Sequence, residues 1–95
     1  MTAFTFDTQD FGRTLQDLFG GYIVILTKAN GAAIVLQDGE ETDENGDDII
    51  RFTIRPKEGS NNAAGIATEN LPISAGDLRD FLEGLEFTNY ETFEA

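Results

Sequence analysis

The stretch Tyr22–Asp38, "YIVILTKANGAAIVLQD", carries two apolar runs rich in β-branched residues on either side of Asn30-Gly31. β-Branched side chains favour strands, and Asn-Gly is the preferred pair for a two-residue type I′ turn. The stretch therefore predicts a β-hairpin. A two-residue turn pairs Thr27 with Ile34, Leu26 with Val35 and Ile25 with Leu36. Tyr22 to Leu26 is apolar on both faces, the pattern of a strand that is central in its sheet or tightly covered.

The same reading extends in both directions. Downstream, "DDIIRFTIRP" (47–56) alternates, with Ile50, Phe52 and Ile54 on one side and Ile49, Arg51, Thr53 and Arg55 on the other. Pro56 ends that strand, because proline cannot donate to a ladder. Between the two lies "DGEETDENGDD" (38–48), with a second Asn-Gly pair at 45–46. A two-residue turn there sets Glu44 against Asp47 and Asp43 against Asp48. Like charges in direct opposition are unfavourable, so either the loop is wider or a cation meets it.

Upstream, Phe4 and Phe6 share one side of a short strand. "DTQDFGRTLQDLFGG" (7–21) then reads as a helix. Asp7 or Thr8 caps it, Asp10 complements the dipole, and Phe11, Leu15, Leu18 and Phe19 form one face. "SAGDLRDFLEGL" (74–85) reads as a second helix. It has an S-x-x-D start at Ser74 and Asp77 and an apolar stripe of Leu78, Phe81, Leu82 and Leu85.

Residues 57–73 read as a mobile, Gly- and Asn-rich connection, with a short strand near Ile66. Residues 86–95 form an aromatic acidic tail, in which Phe87, Tyr90 and Phe93 are expected to pack back onto the domain. The whole predicts one α+β domain over 1–95. Its sheet has three or four antiparallel strands, its helices are two, and the order is β-α-β-β-β-α. The expected core comprises Phe4, Phe6, Phe11, Leu15, Leu18, Ile25, Leu36, Phe52, Leu78, Phe81 and Leu82.

Composition narrows the function. The 95 residues are 40% apolar and include eight Phe, enough for a small core. Cys and His are both absent. Thiolate metal sites are thereby excluded, together with the commonest general base and transition-metal ligand. No apolar run approaches the roughly 20 residues that span a bilayer. The first residues lack a basic segment followed by an apolar one, which predicts no secretory leader, and the absence of Cys fits the cytoplasm. Eighteen acids against six bases give a net charge of −12 and a pI near 4.1. Such a field repels nucleic acid and anionic lipid and attracts basic proteins.

Calcium is the sharpest specific chemistry for 38–48, since hard cations take several oxygens. Aligning Gly46 with the sixth EF-hand position places Glu41, Asp43 and Asn45 at one, three and five. The twelfth position is then Phe52, where a bidentate Glu is needed, and a strand follows in place of a helix. No dedicated metal site and no cofactor are expected. Paired carboxylates for acid–base work carry little signal in so acidic a chain, and no nucleophile or phosphate-loop motif occurs. Arg13, Arg51, Arg55 and Arg79 read as partners in local surface ion pairs.

Acidity itself remains as function. Asp38, Glu40, Glu41, Asp43, Glu44, Asp47 and Asp48 form one base-free segment. Glu83, Glu86, Glu91 and Glu94 belong to a second, 80–95. On a single side they make a rigid negative surface that competes with phosphates for a Lys/Arg-lined groove. In size, charge and element order, with its "MTAFTF" start, the chain resembles the small acidic phage proteins that inhibit host defences, the anti-CRISPR and other DNA-mimic proteins. That resemblance implies a non-enzymatic inhibitor in a host cytoplasm that occupies a basic, nucleic-acid-binding surface of a partner, without contacting nucleic acid or membrane itself. The other reading is a small structural or assembly protein, of a phage or a salt-adapted organism, whose acidity serves solubility.

Overall fold

The computed structural model describes residues 3–55 and 68–94. Seven strands and two helices are seen among them. They are β1 (Phe4–Thr5), α1 (Thr8–Phe19), β2 (Tyr22–Thr27), β3 (Ala33–Thr42), β4 (Asp48–Arg55), β5 (Thr68–Ser74), α2 (Ala75–Leu82), β6 (Glu86–Phe87) and β7 (Asn89–Glu94). The fold is α+β, as the patterning predicts, but the sheet is larger than expected. Five antiparallel strands lie in the order β5-β4-β3-β2-β7, and β1 pairs with β6 in a separate two-stranded ribbon.

Both helices cover one face of the large sheet. Phe11 and Leu18 of α1 and Leu78 and Leu82 of α2 pack with Val24, Leu26, Ile34, Leu36 and Ile50. Phe6 and Phe87 close one end of this core with an edge-to-face contact, ring centroids 6.0 Å apart. The helix starts are set as the sequence indicates. Asp7 and Asp10 form a reciprocal capping box at 2.9 and 3.0 Å, and the Ser74 hydroxyl accepts the Asp77 N–H.

The first hairpin differs from expectation by one residue. Val24 pairs with Leu36, Ile25 with Val35, Leu26 with Ile34 and Thr27 with Ala33. The Lys28 N–H donates to the Ala32 carbonyl and the Gly31 N–H to the Lys28 carbonyl, so the loop is three residues long. Gly31 holds φ +92°, the left-handed residue that follows a type I turn in such loops. A one-residue slip exchanges the two faces of a strand. Val24 and Leu26 are therefore the buried residues of β2, and Ile25 points to the opposite face.

Other expectations are corrected by the same geometry. Phe81 is 42% exposed and Phe19 46%, at the margins of their helical stripes. Phe4, Leu15 and Phe52 pack against the core as expected, at its partly buried edge. Residues 68–73, expected to belong to a mobile connection, lie with Ser74 in an edge strand on β4. Its Asn70 and Pro72 disguise it in the sequence, and proline is tolerated on an edge. The rest of that connection, including the strand expected near Ile66 and the stop at Pro56, lies outside the described residues.

The aromatic tail becomes β6 and β7. Phe87 is fully buried, Tyr90 half-buried and Phe93 half-exposed. No helix among the described residues is long and apolar enough to cross a membrane.

Candidate acidic interface

The hairpin joining β3 to β4 is built like the first one. The Asp43 N–H donates to the Asp47 carbonyl at 2.8 Å and the Gly46 N–H to the Asp43 carbonyl at 3.1 Å. Gly46 holds φ +84°. The loop is thus wider than two residues, the first of the two alternatives read from the sequence, and the Glu44–Asp47 and Asp43–Asp48 oppositions of a two-residue turn do not form. Asp43 faces Asp47, and Thr42 faces Asp48. The Asp43 carboxylate is held inward, accepting the N–H groups of Asn45 and Asp47, each at 2.9 Å.

Behind the turn, β3 carries two extra residues between Asp38 and Glu41. The Asp38 carboxylate accepts the Glu40 N–H at 2.9 Å, and Glu40 sits at φ +57°. Gly39 allows this irregularity, because a Cβ there would lie 2.6 Å from the Ile49 carbonyl oxygen. A bulge of this kind bends the strand and increases its local twist.

The seven acids of 38–48 therefore divide by role. Asp38 and Asp43 satisfy backbone N–H groups. Glu41 pairs with the Arg51 guanidinium at 3.2 Å, so this segment is not base-free in space. Arg51 also donates to the Asn70 carbonyl. Glu40, Glu44, Asp47 and Asp48 are exposed. Among the described residues no three acidic side chains converge in a way that would hold a metal ion.

The second acidic segment does not join the first as a unit. Glu83 accepts the Thr8 hydroxyl at 2.8 Å, and Glu86 pairs with Thr5, beside Lys28 and the first hairpin. Glu91 lies in mid-sheet opposite Ile25, taking a hydrogen bond from the Asn89 amide. Only Glu94, opposite Tyr22, reaches the end of the sheet where the acidic hairpin begins. The two segments do not share one side: Glu83 caps the end of α2, Glu86 lies on β6, and β7 sets Glu91 in mid-sheet and Glu94 at the sheet's end.

At that acidic end α1 terminates at Phe19 with no basic residue in its last turn. Its negative dipole end adds to the local field. A groove of about 360 Å³ opens there, with Phe19 and Tyr22 on one side and Asp38 and Glu40 on the other.

Two of the other arginines are locally engaged, as expected of surface pairs. Arg13 stacks 4.2 Å above the Tyr90 ring and lies 3.9 Å from Asp17, and Arg79 lies 3.7 Å from Asp80. Arg55 is exposed on β4. One polar knot was not legible beforehand. Tyr90 Oη donates to Asp17 at 2.7 Å, tying β7 to α1. Burial of the phenol, then its bond to the Asp17 carboxylate, pushes the Tyr90 pKa up to about 12.

No protein-family profile matches this chain, and no curated protein or solved structure proves similar to it.

Proposed function

We propose that the chain is a non-enzymatic binding protein whose acidic hairpin occupies a basic, nucleic-acid-binding surface of a partner, an inhibitor of the anti-CRISPR or DNA-mimic type acting in a host cytoplasm. The observation that carries this reading is the surplus of charge at the hairpin. The same three-residue turn geometry forms at Lys28–Ala32 from Lys, Ala, Asn, Gly and Ala. The carboxylates of Glu40, Glu44, Asp47 and Asp48 are not needed to make the turn.

They project from a braced hairpin, which lowers the entropy lost when a partner orders against it. Carboxylates held on a rigid support present to a Lys/Arg-lined groove the charge that a phosphate backbone presents. Glu94 and the end of α1 extend the same negative end. Glu83, Glu86 and Glu91, named from sequence as partner-binding, fall outside this surface.

The test is capture from a host lysate on immobilised wild-type protein and on the variant E40Q/E44Q/D47N/D48N, followed by elution with duplex DNA. The reading expects nucleic-acid-binding proteins to be held by the wild type, released by DNA and lost with the variant. Equal capture by both proteins, or capture that DNA does not reverse, contradicts it and leaves the acids as a solubilising surface.

A further inference from the structure

The face of the large sheet opposite the helices presents three cross-strand rows. Glu91, Ile25, Val35 and Thr53 form the middle row across β7, β2, β3 and β4. Asn89, Thr27, Ala33 and Arg55 form the row toward the first hairpin. Toward the acidic hairpin, Phe93 pairs with Ile23 and Gln37 with Arg51. Side chains alternate across a sheet, and the core residues Val24, Leu26, Ile34 and Leu36 occupy the other face. Among the described residues no helix covers these rows, and Phe93 is 50% exposed.

The distribution of charge over this face is unusual for the molecule. The chain holds eighteen acids and six bases, yet these rows carry two arginines and one glutamate, with Arg51 also paired to Glu41 beyond the third row. The arginines lie on the β4 flank and the glutamate on the β7 flank, with Ile23, Ile25, Val35 and Ala33 between them.

We infer that this face is an interface between two copies of the chain, packed sheet on sheet about a two-fold axis that runs along the strands between β2 and β3. Such an axis lays β7 of each copy over β4 of the other and preserves position along the strand. Glu91 then sits above Thr53 of the copy, between its Arg51 and Arg55, and the contact occurs twice. Ile25 meets Val35 of the copy, and Phe93 lies over its Arg51, an arrangement that favours cation–π contact. Aligned sheet packing at about 10 Å separation accommodates these residues.

A patch four strands wide and three rows long covers roughly 400 Å² per copy. That is about half of a standard interface, so the dimer forms weakly and exchanges quickly. Both acidic hairpins lie at the same end of this dimer, leaving the surface assigned above free. The inference does not depend on that assignment.

Sedimentation equilibrium near physiological ionic strength provides the test. Wild type should be monomeric at about 10 μM and shift toward dimer by about 1 mM, as a small interface requires. I25E should abolish the shift. E91R and R51E/R55E should each stay monomeric alone, since each sets like charges against one another. An equimolar mixture of the two should dimerise, because every cross-pair is then between opposite charges. Circular dichroism checks folding, and R55E replaces the double variant if that one unfolds. A monomeric wild type at 1 mM overturns the inference. So does dimerisation that survives I25E, or a mixture of folded variants no heavier than its components.

Discussion

The chain contains two hairpin turns of one design and opposite character. Lys28-Ala29-Asn30-Gly31-Ala32 and Asp43-Glu44-Asn45-Gly46-Asp47 share the same pair of backbone hydrogen bonds, agreeing within 0.1 Å, and both end on a left-handed glycine. In the first, the Asn30 side chain accepts the Ala32 N–H; in the second, Asp43 does comparable work for Asn45 and Asp47. One tip is nearly neutral and the other strongly acidic. Backbone geometry is thus dictated by Asn-Gly and one short acceptor side chain. The remaining charge is free to serve something outside the fold.

The largest disruption of this comparison comes from the strand both hairpins share. Leu36 is fully buried in β3, so L36A should lower stability by about 2–5 kcal/mol and loosen both turns together. Urea denaturation checks this, with amide exchange reporting on each turn. A smaller and local effect is expected at Gly39, which has no counterpart behind the neutral turn. G39A should cost about 1–3 kcal/mol by forcing Cβ against Ile49, and the exchange change should concentrate at 38–49. Next, G31A and G46A should each cost about 1–2 kcal/mol, the left-handed penalty. Near-equal values sharpen the comparison, whereas a much smaller loss at Gly46 would show that charge repulsion already strains the acidic turn.

The neutral turn has a further anchor that the acidic one lacks. Next to it, Thr88 N–H donates to the Thr27 carbonyl, and Tyr90, opposite Leu26, bonds Asp17. Y90F should cost about 0.5–1.5 kcal/mol through the lost hydrogen bond. The phenol also gives a pH signature. Its folded pKa near 12 exceeds the unfolded value of 10.0, so folding retains a proton that the unfolded chain releases. That contribution is complete below pH 10 and disappears as pH rises toward 12. Absorbance titration should show a phenolate appearing near pH 12, and Y90F should flatten the loss of stability over that window.

The sequence was informative where a local rule and the tertiary fold agreed. Asp7, Asp10 and Ser74 announced the helix starts, and alternation in 49–54 announced β4. The first hairpin was legible as a hairpin but not in register, because Asn-Gly also suits a three-residue loop whose left-handed residue is Gly31. β5 carries no strand signature in the sequence, since an edge strand tolerates proline and polar residues. Phe87, Tyr90 and Phe93, spaced by threes, suggested one packed group. The spacing sends Tyr90 and Phe93 to opposite faces of β7, which leaves Phe93 on the uncovered side. The acidic hairpin was recognisable as a charge run. Which of its acids bond backbone N–H groups depends on the bulge at Gly39 for Asp38 and on the three-residue turn for Asp43.

The most direct measurement sets the stability of E40Q/E44Q/D47N/D48N beside its affinity for a captured partner at two salt concentrations. Removing four exposed charges should leave stability within about 0.5 kcal/mol of wild type. Partner affinity should fall about tenfold or more at low salt, with a shallower salt dependence, since fewer ion contacts remain to be screened. Unchanged affinity and an unchanged salt slope, with the fold intact, would contradict the claim that the charge of the second turn exists for a partner.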